Sequence, residues 1–181
     1  MSTTKEKVYL RALAEDDLDR ILAWHNDPEL YATLGGHFRH VNREAEKNWL
    51  RRRLESADEV NLAICLLDPP EHIGNVYLRN VSWVHRNAEL HIFIARPEHR
   101  GQGYGSAAIR LITRHAFEDL GLARLYLYTL ASNSAAISSY QKCGFVAEGR
   151  LRRHAFKKGI FEDMIVMGLC REQLQPIEGR R

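Results

Sequence analysis

Between Leu90 and Leu120 the chain passes from a strand-like segment, Leu90 to Ala95, through Pro97 and the turn Arg100-Gly101-Gln102-Gly103-Tyr104-Gly105 into a long helix, and few folds accommodate that order. Ala108, Leu111, Ile112, His115 and Ala116 recur at helical spacing, so the helix has one apolar face to bury. Alternate glycines let the backbone curl until successive N–H groups point inward, and the helix dipole adds positive potential at the same point. Such a unit suits an anionic phosphate group, although the same glycines could also form a plain tight turn. Two familiar phosphate loops do not fit. A Walker loop needs a lysine where Tyr104-Gly105-Ser106 has none, and a Rossmann fingerprint needs a third glycine where Ser106 stands.

The rest of the pattern is α/β. Val8 to Leu10, with Leu13, reads as a strand, and Glu15-Asp16-Asp17 opens a helix carrying Leu18, Ile21, Leu22 and Trp24 that Asp27-Pro28 ends. A loop at Leu34 to His40 precedes a helix capped by Asn42, and strands at 60–67, 73–83 and 88–95 form a meander. After the helix at 103–120 comes a strand at 124–130, a helix at 134–142, and a hairpin of 145–156 with 161–169. Gly121 and Gly144 fall where helix C-terminal caps belong. This predicts a mixed sheet of six to seven strands with helices on both faces, in one domain spanning residues 1–173 and followed by a short tail at 174–181.

Composition narrows the class. With 181 residues, 45% of them hydrophobic, the chain can build one core. It has no apolar run near the roughly 20 residues that span a bilayer, and the segment Met1 to Lys7 has no signal-like stretch, so a cytoplasmic, membrane-free location is expected. Cys65, Cys143 and Cys170 show no metal or disulfide spacing, which predicts buried free thiols and no metal. Net charge is +3 and the basic clusters lack stacking aromatics, so nucleic acid is not the expected partner.

The turn Arg100 to Gly105 resembles the Q/R-x-x-G-x-G/A signature of the GCN5-related N-acetyltransferases, and Asn133, Ala136, Tyr140 and Gly144-Phe145 resemble the family's second motif, Asn-x-x-Ala-x-x-x-Tyr-x-x-x-Gly-Phe. The likeness covers residues 7 to about 171 and is closest to the branch holding ribosomal-protein N-terminal acetyltransferases and spermidine N-acetyltransferases. It implies acetyl-coenzyme A (acetyl-CoA) as co-substrate, with the amides of Arg100, Gly101, Gln102, Gly103, Tyr104, Gly105 and Ser106 binding its pyrophosphate. Ile92, Phe93 and Ile94 would form the strand edge along pantetheine, with a bulge there exposing an amide to the thioester oxygen. Asn133 would contact the cofactor arm where the two central parallel strands of the family's mixed sheet splay apart, cap the following helix, or do both.

Acetyl transfer to an ammonium needs a base for the amine and a proton for the departing thiolate. Tyr140 matches the family's proton donor, though it could equally pack on its helix beside Ile137. Strand alternation puts Glu89 and His91 on one face with Phe93, so the base is Glu89, His91 or a water, and a salt-bridge role for Glu89 stays open. The acceptor is a primary amine: a peptide N-terminus, an amino sugar or another small amine, with a polyamine such as spermidine as the alternative. The acid-poor loop Leu34 to His40, followed by Arg43, argues against a polycation. A non-catalytic acyl-CoA sensor of the same fold is the other reading, and the terminal hairpin is a candidate homodimer surface.

Overall fold

The computed structural model describes residues 7–174; the expectations for the first six residues and for the tail beyond Leu174 lie outside them. Seven strands form one sheet: β1 (Val8–Ala12), β2 (Val60–Leu67), β3 (Pro70–Ser82), β4 (Asn87–Ile94), β5 (Arg124–Leu130), β6 (Val146–Lys157) and β7 (Ile160–Cys170). Their order is β1-β2-β3-β4-β5-β7-β6, and every neighbouring pair is antiparallel except β4 with β5. The mixed α/β sheet with one parallel pair agrees with the sequence pattern.

Strand alternation supplies a core on each side of the sheet. Helices α4 (Tyr104–Arg114) and α5 (Ser134–Lys142) cover one face, where Ile109, Ile112 and Phe117 pack with Val76, Leu90, Leu125 and Leu127. On the other face, Ile21 and Trp24 of α1 (Leu18–His25), Leu30 of α2 (Pro28–Ala32) and Leu50 of α3 (Arg43–Glu55) pack over Ala63 and Tyr77. β4 serves both cores: Leu90 belongs to the first, and Phe93 packs edge-on to Trp24 at 5.7 Å in the second.

Local chemistry sets the helix boundaries. Asn42 Oδ1 accepts from the Ala45 amide at 2.9 Å and starts α3 as expected, a cap worth about 1 kcal/mol. Asp27-Pro28 does more than stop α1: Asp27 Oδ1 accepts from the Glu29 and Leu30 amides, and the two residues open α2, which the sequence reading missed. Helix α4 gives way at His115–Asp119 to a π-helical turn. The terminal hairpin closes through Lys158-Gly159, both at positive φ, as a two-residue primed turn requires.

A chain of polar groups, buried from Asp17 onward, adjoins the second core. Arg11 Nη2 donates to Asp17 Oδ1 at 2.7 Å, His72 Nδ1 lies 2.9 Å from the same oxygen, His72 Nε2 lies 2.7 Å from Asn75 Oδ1, and Asn75 Nδ2 donates to the Tyr77 hydroxyl at 2.8 Å. Burial alone would raise the Asp17 carboxyl, but Arg11, the Ala14 amide and His72 outweigh it and hold its pKa at about 2.

Candidate active site

The glycine turn is held from beneath by its own first residue. Arg100 Nε and Nη2 donate to the carbonyls of Ile94 (3.0 Å) and Ala95 (2.6 Å), so the guanidinium folds the turn back onto the end of β4. Gln102 Nε2 donates to the Glu98 carbonyl at 2.7 Å and closes the preceding turn. Gly101 and Gly103 adopt φ of 72° and 84°, a region that residues with a Cβ rarely enter, and both are exposed. Gly103 caps α4, whose first amides have no partner within the helix. A Cβ at Gly101 or Gly103 would meet nothing within 4 Å, so the turn presents an open, donor-rich surface that fits a phosphate group. Tyr104 and Gly105 begin the helix, Gly105 over Ile94, and the Ser106 carbonyl accepts from the Cys143 thiol at 3.5 Å.

Beside the turn the sheet parts. β4 and β5 pair only at Asn87↔Arg124, Ala88↔Leu125 and Glu89↔Tyr126. Beyond Glu89, the strand through Ile92, Phe93 and Ile94 is bonded to β3 on one side alone, and β5 continues along β7 alone. The expected bulge is absent, because the β3–β4 register runs unbroken from Gly74↔Ile94 to Arg79↔Glu89. Splaying of the parallel pair, not a bulge, frees the strand edge.

The second motif sits across this wedge. Asn133 does cap α5, its Oδ1 accepting from the Ala136 amide at 3.1 Å, while Nδ2 donates to the Thr33 carbonyl at 3.1 Å. Both polar ends of the side chain thus have protein partners. Ala136 lies half-buried one turn before Tyr140. Tyr140 is 9% exposed and packs against Phe145 with ring centroids 6.0 Å apart. Burial, with a smaller contribution from Cys143, raises its hydroxyl to about 12, which keeps it protonated and able to donate.

On the opposite face of β4, Glu89 and His91 stand together, His91 Nε2 lying 2.9 Å from Glu89 Oε1. Asn80 Nδ2 donates to Glu89 Oε2 at 2.8 Å. The His91 contact holds the Glu89 carboxyl below its usual value against the opposing effect of burial, with further help from Asn80 and Arg79. Cross-strand register sets Arg79 beside Glu89, Tyr77 beside His91, and Tyr126 on the far side of Glu89. The Arg79 guanidinium lies 4.7 Å above the centre of the Tyr77 ring. Sequence reasoning missed Tyr77, Arg79, Asn80 and Tyr126. The alternation of Asn75, Tyr77 and Arg79 with Val76 and Leu78 was the available signal.

The loop at residues 33–42, which has no carboxylate, joins the core on this side of the sheet through Leu34, packed with the cluster that also takes Phe93. It is tied down by Asn133 at Thr33 and by Lys157, whose ammonium donates to the carbonyls of Tyr31 (2.9 Å) and Gly36. Among the described residues no group of three or more His, Cys, Asp or Glu is placed to hold a metal ion, and no helix is long and apolar enough to cross a membrane.

Residues 7–146 match the family described as Acetyltransferase (GNAT) domain. The chain is 38% identical over 92 residues to the spermidine N(1)-acetyltransferase of Vibrio cholerae, a stretch covering 51% of this chain and 53% of that protein. It is 29% identical over 121 residues to the putative ribosomal N-acetyltransferase YdaF of Bacillus subtilis, covering 67% of this chain and 66% of the relative. The first of these alignments spans about half the length of the relative. The fold superposes on the crystal structure of spermidine N-acetyltransferase from Vibrio cholerae in complex with CoA and spermine with a TM-score of 0.87 and 26% identity, covering 93% of this chain and 98% of the other.

Proposed function

Because this chain belongs to the GNAT acetyltransferases, we propose that it transfers acetyl from acetyl-CoA directly to a primary amine. One observation carries the reading: the parallel pair β4–β5 opens just past Glu89 and Tyr126, next to a donor-rich turn at the N-terminus of α4. In this reading the amides of residues 100–106 hold the pyrophosphate and the free edge at Ile92–Ile94 runs along pantetheine. An amide of that edge then meets the developing oxyanion, an interaction of about 3 kcal/mol per donor. Asn133 and Ala136 border the cofactor arm, and Tyr140 gives its proton to the leaving thiolate. A thiol-release assay with acetyl-CoA and a panel of amines tests it. Tight CoA binding without turnover on any amine would support a sensor instead.

Two acceptor classes have support. A polyamine such as spermidine is supported by the names of the relatives and by the spermine-bound structure that the fold resembles. An amine of single charge, such as a peptide N-terminus or amino sugar, is favoured by the local charges: loop 33–42 has no acid, and Arg79 stands beside Glu89 with no ion-pair partner among the described residues. Polycations need several facing carboxylates. Comparing kcat/KM for spermidine, spermine, Ala and Ser peptides and amino sugars decides between them. We assign the enzyme to the cytoplasm as a single domain over residues 1–173. Self-association, if it occurs, is placed on the terminal hairpin, where Phe156, Ile160 and Phe161 are exposed, and sedimentation of Phe161→Glu against the parent checks it.

A further inference from the structure

We infer that His91 is the proton acceptor for the incoming amine and that Glu89 is a positioning residue acting through it; this rests on the acetyltransferase reading above. Both Glu89 oxygens are already engaged, Oε1 by His91 Nε2 at 2.9 Å and Oε2 by Asn80 Nδ2 at 2.8 Å. Arg79 adds positive charge from the neighbouring strand. All three stabilise the carboxylate as an anion and so weaken it as a base. Its side chain is also only 13% exposed, against 38% for His91.

His91 has the complementary properties. The Glu89 carboxylate 2.9 Å from Nε2 favours the proton on that nearer nitrogen, so in the neutral ring Nε2 carries the hydrogen and Nδ1 keeps its lone pair. Among the described residues no protein donor is bonded to Nδ1. Protonation there yields an imidazolium with its counter-charge already in contact.

The other charged or titratable groups around this face are Tyr77 and Arg79 of β3, Tyr126 of β5, Tyr31 of α2, Arg53 of α3 and Glu59. Arg53 is paired with Glu59 and outweighs burial to hold its carboxyl below the usual value, as an anion already engaged. Burial raises the hydroxyls of Tyr77, Tyr31 and Tyr126, and both arginines are cations, so none of these groups competes with His91 as a base near neutrality.

The protons balance as follows. An ammonium N–H bond breaks and its proton passes to His91 Nδ1. The freed lone pair forms the C–N bond as the C–S bond breaks, and Tyr140 protonates the sulfur. The second N–H proton replaces the one Tyr140 gave, and His91 returns its proton to solvent.

Four variants test this under steady-state turnover, with CoA affinity and melting temperature measured alongside. His91→Gln is expected to lower kcat/KM by about 10²-fold and to remove the acidic limb of its pH profile, at unchanged CoA affinity. Glu89→Gln, which keeps the imidazole, is expected to cost less, about 10-fold, and to retain that limb. His91→Gly should regain turnover with added imidazole, whereas Glu89→Gly should regain none with added acetate. A larger loss in Glu89→Gln than in His91→Gln, or an acidic limb surviving in His91→Gln, would overturn the assignment. Absence of turnover in the parent protein on every amine would remove the acetyltransferase reading and this one with it.

Discussion

A single methyl group at Gly74 probes the free edge of β4 from behind. Gly74 pairs with Ile94, and a Cβ there would lie 3.0 Å from Ile94 Cα, 3.1 Å from the Phe93 carbonyl carbon and closer still to the Phe93 oxygen. These are backbone atoms that no rotamer can move aside. Since ordinary contact begins at 3.4 Å, the Ile94 Cα alone requires β4 to retreat by about 0.4 Å and the nearer Phe93 oxygen requires more, and overpacking of this kind costs about 1–3 kcal/mol. The retreat has one easy direction. From Leu90 onward no strand is bonded to the far side of β4, so the displacement narrows the wedge towards β5. Gly74→Ala should therefore lower the melting temperature by roughly 3–10 °C, at about 2–4 °C per kcal/mol for a chain of this size, and weaken CoA binding about tenfold or more. Gly149→Ala, whose added Cβ meets nothing within 4 Å, is the control and should change neither. Scanning calorimetry and titration with CoA provide both readouts. A Gly74→Ala protein with parental stability and affinity would refute the claim that strand spacing at Phe93–Ile94 sets the cofactor edge.

Gly103→Val places a branched side chain at φ 84°, so it should cost stability as well as CoA affinity, and calorimetric titration should find the affinity loss surviving at temperatures where the variant is fully folded. Tyr140→Phe should cut turnover by about 10²-fold with CoA affinity nearly intact, provided chemistry limits the rate; parental kcat would reduce Tyr140 to packing on Phe145. The Asp17 carboxyl sits near 2 in the folded chain against 3.8 ordinarily, so its stabilisation is complete above about pH 4 and is lost as pH falls through 2. His72 is lowered by burial itself, and its contribution is lost on the acid side of its ordinary value of 6.5. Melting temperature followed from pH 7 to 2 should show both losses, and Asp17→Asn should flatten the lower one.

Local chemistry made much of this molecule legible. Asn42, Gly121, Gly144 and Lys158-Gly159 each act through a few adjacent backbone atoms, and the glycine turn before α4 is a contiguous hexapeptide, so a linear reading finds them as local structure. Helix α2, with five residues, is too short to show a period. The company of Glu89 was hidden for a different reason. Arg79, Asn80 and Tyr126 reach it only through the pairing register of three strands, and a shift of one residue would place other side chains there. The polar partner of Asn133 lies 100 residues away in a loop without regular structure. A motif identifies Asn133 as important but cannot say which of its hydrogen bonds are already taken.

With only three residue pairs joining β4 to β5, the seven strands are mechanically two sheets, one of four strands and one of three, meeting at a seam. Cross-seam cohesion falls mainly to the helices and side chains packed above and below it, so each half can open with some independence, as cooperative sub-units of a domain do. A ligand lying along both free edges acts as a weld. Its signature in hydrogen exchange would be slower exchange of the edge amides in Leu90–Ile94 and Leu127–Leu130, together with convergence of the two halves onto one opening free energy.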